Sequence, residues 1–243
     1  MNMPASLIQE FLPTGKLRAS LNMGNPVLAH SHTSKERPAG VTIDLSRQLA
    51  RELGVEVVFL QFDTAARSVA ALAGGDADIG FMAIDPLRAE TTHFTPAYVQ
   101  IEGFYLVPAG SPIKTNADVD RAGTRIVMGA GSAYGLYLTR HIQHAELVQV
   151  PTSEAVVDAM LKRGLEVAAG VKQGLQADAR RVGDVRLLSE RFMVIHQAMA
   201  LPKARSAAAA DFLDDFVRRM TRGGFVADSL KRHAIVGAKV AGD

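Results

Sequence analysis

The sequence contains no cysteine and no tryptophan. The first absence excludes disulfides, thiol nucleophiles and zinc–thiolate sites, and it leaves the redox compartment undecided. The second, with aromatics at 6% of 243 residues, argues against a base-stacking nucleic-acid surface. Charge of one sign is also scarce. The 27 Lys and Arg stand against 25 Asp and Glu, for a formal net charge of +2. The densest basic pairs, Arg180-Arg181 and Arg218-Arg219, read as solvated helix faces, not as a stripe that tracks phosphates. No run of about 18 apolar residues occurs, so no membrane-spanning helix is expected. Residues 1–15 lack a charged stretch followed by an apolar one. They read as a short amphipathic turn around Leu7-Ile8 and Phe11-Leu12, not as a signal peptide. Two placements stay open: cytoplasmic if Met1 is the native start, exported if a signal has been removed.

What is present suffices for a core, since hydrophobic residues make up 48%. Residues 16–22 alternate and read as a first strand, and Asn25-Pro26 leads to a polar loop over 30–40. Residues 42–53 carry Leu45, Leu49 and Leu53 on one helical stripe, with Gly54 as the stop. Residues 55–62 are a β-branched strand, 64–73 an Ala-rich helix ended by Gly74-Gly75, and 79–84 a continuous apolar run. This strand–helix–strand–helix–strand order implies a parallel sheet covered by helices. Pro86 then breaks the chain before a strand over 100–107 and a turn at 108–112. A second cycle follows: strand 125–128, the tight turn Gly129-Ala130-Gly131, helix 132–144, strand 147–150, helix 153–162, strand 167–171 and helix 172–180.

The cycles echo one another. Residues 64–75 and 153–164 each end Leu-x-x-Gly; Asp76 and Asp78 follow the first and Glu166 the second, and each leads into an apolar strand. This fits two similar α/β lobes in sequence. The tail, 207–220, is an amphipathic helix bearing Phe212, Leu213, Phe216 and Val217; Gly223-Gly224 breaks it before a last helix to about His233.

Several motifs occur in order at fixed distances: Gly15-Lys16-Leu17-Arg18, Gly40-Val41-Thr42-Ile43-Asp44-Leu45, Leu72-x-x-Gly75-x-x-Asp78, Asp85-Pro86-Leu87-Arg88, Phe94-Thr95-Pro96-Ala97-Tyr98 and Gly131-Ser132. Together they resemble bacterial solute-binding protein family 3, the binding components of polar amino-acid ABC transporters, from Gly15 to about His233. The resemblance implies a type II periplasmic-binding-protein fold. It is a two-lobed α/β architecture in which each lobe is a mixed, mostly parallel sheet flanked by helices, and two hinge strands join the lobes. Lobe one is then 15–103 plus 198–243, lobe two 104–197, and residues 1–14 an N-terminal extension. The implied partners are a small carboxylate-bearing solute, captured between the lobes by hinge closure, and an ABC transporter permease. The chain is expected as a monomer or weak dimer that binds no nucleic acid, needs no cofactor or metal, and is not an enzyme.

Arg88 is the principal candidate. It lies just past the carboxyl end of the 79–84 strand, where ligands collect in open α/β sheets, and a guanidinium holds a carboxylate by two parallel bonds. A structural Arg paired with Asp85 or Glu90 is the competing reading, and the resemblance favours the ligand contact. At position 85 the family carries Thr. Asp85 either holds a solute ammonium or neutralises Arg88, and both stay open. Ser132 follows Gly129-Ala130-Gly131 at a strand-to-helix junction, an N-cap and also a place where backbone N–H groups bind anions; Ala133 and Tyr134 are secondary candidates. Val171 falls where amino-acid-binding members carry an Asp for the α-ammonium, which points to an organic or dicarboxylic acid unless Asp85 substitutes. Asn22, Asn25, Met82 and Ala83 complete the first-lobe rim, and Gln173 is a candidate beyond the 167–171 strand. The family's stacking aromatic after the first strand is replaced here by Gly24-Asn25-Pro26-Val27.

Other motifs fail. Gly135 comes one residue too late for G-x-G-x-x-G, Ala130 and Tyr134 occupy the glycine positions of a nucleophile elbow, and no Walker sequence is present. His30-x-His32 and His141-x-x-His144 show no convincing third metal ligand. Two alternatives remain. One is a dehydratase on the same scaffold acting on a cyclic carboxylic acid, with Asp85, Glu102 and His93 as acid–base candidates. The other is a cytoplasmic orphan sensor without a transporter.

Overall fold

The structure, a computed structural model, describes residues 4–30 and 37–242. Residues 1–3 of the N-terminal extension and His32 of the His30-x-His32 pair lie outside the described residues. The path begins α1 (Ala5–Phe11), β1 (Leu17–Asn22), α2 (Val41–Leu53), β2 (Val57–Phe62), α3 (Ala65–Ala73), β3 (Ile79–Ala83). A 3-10 turn, Arg88–Glu90, precedes the long strand β4 (Thr92–Pro108). The second cycle is β5 (Arg125–Gly129), α4 (Ala133–His141), β6 (Glu146–Val150), α5 (Val156–Arg163), β7 (Val167–Val171) and α6 (Lys172–Val182). Then come β8 (Val185–Leu187), β9 (Met193–Pro202), α7 (Ala207–Arg222), α8 (Phe225–Arg232) and β10 (Lys239–Val240). The chain divides into two compact units, Met1–Gln100 with His196–Asp243, and Ile101–Ile195; β4 and β9 each run from one into the other.

In the first unit β1 lies between β2 and β3, parallel to both, and β9 pairs antiparallel to β3. Leu17, Ala19 and Leu21 of β1 are fully buried, as are Val41, Ile43, Leu45 and Leu49 of α2. Gly54 ends α2 at φ +70, a conformation that favours glycine. Thr64 caps α3 by accepting the Arg67 N–H at 3.3 Å. Residues 5–11, read as a turn, form a helix: Phe11 is buried edge-on against Phe212 of α7, with ring centroids 5.6 Å apart. A segment this short gains its stability from that packing, not from its own propensity.

In the second unit β5 lies between β6 and β7, again parallel to both, and β4 pairs antiparallel to β7 and β8. Alternate residues of β4 feed two cores. Phe104 and Leu106 pack with Val157, Met160 and Leu175, whereas Tyr105 and Val107 pack with Ile126, Met128 and Leu138. Burial on both faces explains the continuous apolar runs of these strands. Helix α4 stops at His141, short of the expected 144. The Asp120 carboxylate takes the N–H groups of Gln143, His144 and Ala145 at 2.7–3.2 Å and turns the chain. Strand β4 also starts earlier than expected, at Thr92, with Pro96 inside it.

The units repeat one device. Arg18 of β1 holds Asp78 through Nε–Oδ2 at 3.0 Å and Nη2–Oδ1 at 2.8 Å, and donates to Gly75 O at 2.8 Å. Arg125 of β5 holds Glu166 through Nε–Oε2 at 2.9 Å and Nη2–Oε1 at 2.6 Å, and donates to Gly164 O at 2.7 Å. The register agrees as well: Ala19 pairs with Ile79, and Ile126 with Val167. The Leu-x-x-Gly echo in the sequence marks this repeated frame.

Candidate functional site

Parallel order in each unit sends the carboxyl ends of the strands to one edge, and the predicted residues other than Met82 lie at or just past these ends in sequence. In the first unit, β1 ends at Asn22, whose Oδ1 accepts the Gly24 N–H at 3.1 Å. A Cβ on Gly24 would lie 2.4 Å from Asp63 O, so only glycine fits the turn. The Asn25 carbonyl accepts from Leu28 and Ala29. Its side-chain Oδ1 is buried and has no donor among the described residues.

The exit of β3 carries Arg88. The Ile84 N–H is fixed to His196 O at 2.9 Å, and Asp85 Oδ1 accepts the Leu87 N–H at 2.9 Å. The Ala89 N–H then returns to Asp85 O at 3.0 Å, closing a turn that folds Arg88 back. Its Nη1 donates to Ala83 O at 3.1 Å, so Ala83 contributes through its carbonyl. The guanidinium is buried, and burial pushes its pKa down to about 10, while the Asp85 charge acts in the opposite direction. It therefore remains a cation near neutral pH. Met82 corrects an expectation. It is not a rim residue, because β-strand alternation turns it into the core against Leu72, Ala77 and Ala200.

In the second unit the turn after β5 is built around glycine. Gly131 has φ +65, and a Cβ on Gly129 would come within 2.9 Å of Ser153 Oγ. Ser132 is the N-cap of α4, its Oγ accepting the Gly135 N–H at 3.0 Å. The first turn of a helix leaves N–H groups without intrahelical partners, and Ala133 and Tyr134 supply two of them by position. The Tyr134 side chain is not offered to a solute. It is buried, its hydroxyl donates to Ser153 Oγ at 2.9 Å and accepts from Gly129 N at 3.3 Å, and burial raises its pKa. It props the glycine turn instead. Val171 closes β7 opposite Gly103 and packs partly buried on the Tyr105 core; Gln173 lies half-buried in the first turn of α6.

The acid–base candidates are separately committed. Glu102 accepts from Arg191 at 2.8 Å and Lys172 at 3.3 Å, and the Arg191 bond comes first among the causes that lower its pKa. His93 Nε2 lies 3.1 Å from Asp214 Oδ1. His141 Nδ1 bonds Tyr137 O at 2.7 Å, and no group of three or more His, Cys, Asp or Glu able to hold a metal occurs among the described residues.

One contributor carried no local signal. Lys203 donates from Nζ to Ala89 O and from its backbone to Thr91 O, both at 2.9 Å, tying the Arg88 turn to the β9–α7 link 114 residues away. It also borders a first-unit cavity of 280 Å³ with His93, Arg205 and Asp211. Of the predicted residues that cavity contains only His93, and two of its charged walls are already engaged, Arg205 with Asp78 and His93 with Asp214.

The fold is that of the type II periplasmic binding proteins. The chain belongs to the bacterial extracellular solute-binding proteins, family 3, whose model matches residues 22–234. Among solved structures it resembles the solute receptor for L-cysteine of Neisseria gonorrhoeae, with TM-score 0.79, 17% identity, and coverage of 94% of that chain and 95% of this one. It also resembles a putative ABC-transporter binding component from Wolinella succinogenes complexed with lysine (TM-score 0.76, 20% identity, 95% and 90% covered). A third is the ancestral amino acid-binding protein AncCDT-1, a precursor of cyclohexadienyl dehydratase (TM-score 0.76, 18% identity, 97% and 93% covered). No curated protein matches the chain. No helix among the described residues is long and apolar enough to cross a membrane.

Proposed function

We propose that the chain is a receptor for a small carboxylate-bearing solute, an amino acid or organic acid, that serves ABC-type uptake. Arg88 is the anchor, and the Ser132 turn supplies further donors. The observation that carries this reading is the buried, still-cationic Arg88 guanidinium, held at the carboxyl end of a parallel strand by Ala83 O and the Asp85 turn. A guanidinium at the carboxyl end of a parallel strand lies where ligands collect, and its fork matches a carboxylate by two parallel bonds. The lysine and L-cysteine named for the relatives above accord with a carboxylate guest. Val171, an aliphatic residue at the end of β7, offers no charge to an ammonium, so organic acids stay within the class.

The competing dehydratase reading needs a group that gives up and takes a proton. Against it, Glu102 is drawn toward the carboxylate form by Arg191 and Lys172. Calorimetry with a panel of amino and organic acids tests the proposal. Each charge-assisted bond contributes roughly 1.5–3 kcal/mol, so Arg88→Ala should weaken binding about 100-fold or more. Arg88→Lys keeps the charge and loses the fork, and should fall between. Wild-type affinity in both variants would remove Arg88 from the site.

A further inference from the structure

The turn after β3 inverts the pattern of a solvated loop. Its charged residues are the buried ones, Asp85 at 4% and Arg88 at 6% exposure, while Ile84 and Leu87 stand open at 45% and 56%. Pro86, between them, is exposed too. Water prefers the opposite arrangement, in which charges face out and aliphatic groups pack within. Nor are these side chains free to tuck away. The Ile84 N–H is bound to His196 O and the Leu87 N–H to Asp85 Oδ1, so the backbone holds both residues outward. The other exposed large hydrophobics among the described residues, Val58, Leu161 and Val236, are isolated in sequence. Single exposed apolar residues are ordinary, but three in one short turn around a buried cation are a local conflict of the kind that marks function.

Resting on the carboxylate reading, we infer that this turn selects a carboxylate with an aliphatic body. Arg88 takes the carboxylate, and Ile84, Pro86 and Leu87 cover the hydrocarbon next to it. A second acidic or strongly hydrated group on the solute would lie against aliphatic carbon and be disfavoured.

Calorimetry with acetate, 4-methylpentanoate and succinate tests this. On the wild-type chain 4-methylpentanoate should bind at least about tenfold tighter than acetate, since each covered methylene adds to affinity, and tighter than succinate. In the double variant Ile84→Thr/Leu87→Gln the preference over acetate should shrink severalfold. The melting temperature should hold, because both side chains are exposed. Succinate binding tightest, or a preference untouched in the double variant, would overturn the aliphatic assignment; either result, combined with lost binding in Arg88→Ala, leaves the carboxylate reading standing. Failure of all three acids to bind the wild-type chain would overturn the aliphatic assignment, and failure of the whole amino- and organic-acid panel would end the carboxylate reading as well.

Discussion

In the first unit Arg18 grips a carboxylate that is wholly buried; in the second, Arg125 grips one whose side chain is 33% exposed. The frames are otherwise alike, each a first strand between two parallel partners with an Arg–acid bridge and a glycine carbonyl at its base. The difference comes from the tail. Arg205, in the β9–α7 link, adds a second cation 3.5 Å from Asp78, and no counterpart of α7 and α8 exists in the second unit. The functional edges diverge in a complementary way. The second unit places a capped helix start three residues after its first strand, whereas in the first unit α2 starts only at Val41, well beyond the end of β1 at Asn22, and the charged turn follows the third strand. A repeated frame tolerates this because the Arg–acid bridge lies at the opposite, amino end of the strands.

The largest test of the comparison is Asp78→Ala. Asp78 is wholly buried, whereas the Arg18 and Arg205 side chains are 22% and 23% exposed, so its removal leaves two largely buried cations without their carboxylate, at a cost of roughly 3 kcal/mol. Urea unfolding should show the loss. A cost no larger than that of the Glu166 variant below would mean that burial does not distinguish the two bridges.

Next comes Ser132→Ala. The hydroxyl satisfies the Gly135 N–H inside the second unit, so its loss should lower stability by about 1 kcal/mol. The equivalent helix of the first unit starts at Gly40 with no side-chain cap, so it has no such sensitivity. If Ser132 also serves the solute, Ser132→Ala should lose more affinity than Ser132→Thr at matched stability. Equal affinities would reduce it to a cap.

Glu166→Gln should cost less, roughly 0.5–1 kcal/mol near neutral pH, because the bridge is partly solvated. Its pH dependence is informative. The Arg125 bond holds the Glu166 carboxyl below its ordinary value of 4.5. The folded state thus binds its proton less readily than the unfolded chain, and the contribution exists above that ordinary value and is lost as pH falls through the lowered one. Urea midpoints of wild type and variant should differ near neutrality and converge in acid. A gap that persists there would point to lost packing and not to charge.

Most of this frame was legible because it is written in local periodicity. The apolar runs of β3 and β7, the Leu45–Leu49–Leu53 stripe and the Leu-x-x-Gly echo each encode an element and its partner. Less legible were elements defined by distant partners. Helix α1 needs the α7 face, β10 pairs with Val99 and Gln100, and β9, though apolar in sequence, gains its place by antiparallel pairing with the distant β3. The site was half legible. The strand-end position of Arg88 follows from the pattern, but its turn is tied down by Lys203 from across the sequence. The inward facing of Met82 follows from β alternation.

The smallest effect lies in how the helices stop. Three of them end with the same pair of bonds. In α2 the Val55 N–H reaches Ala50 O and Gly54 reaches Arg51 O; in α5 Leu165 reaches Met160 O and Gly164 reaches Leu161 O; in α8 Ile235 reaches Leu230 O and Ala234 reaches Lys231 O. Each requires a left-handed residue at the end, at φ +70, +59 and +52 respectively. The first unit's frame and the second's both use glycine there, but the unrepeated tail uses alanine. Its Cβ crowds the following carbonyl, at roughly 1–2 kcal/mol, while glycine would lose more freedom on folding, offsetting about 0.4–1 kcal/mol of that. Ala234→Gly should therefore stabilise the chain by about 0.5 kcal/mol. The mirror change Gly164→Ala, where a Cβ would meet nothing within 4 Å, should destabilise it by a similar amount. Matched shifts of opposite sign in thermal melts would show that the tail obeys the same stop rule as the repeated frame. A neutral Ala234→Gly would mean that its conformation is held by the packing of α8 and not by the cap.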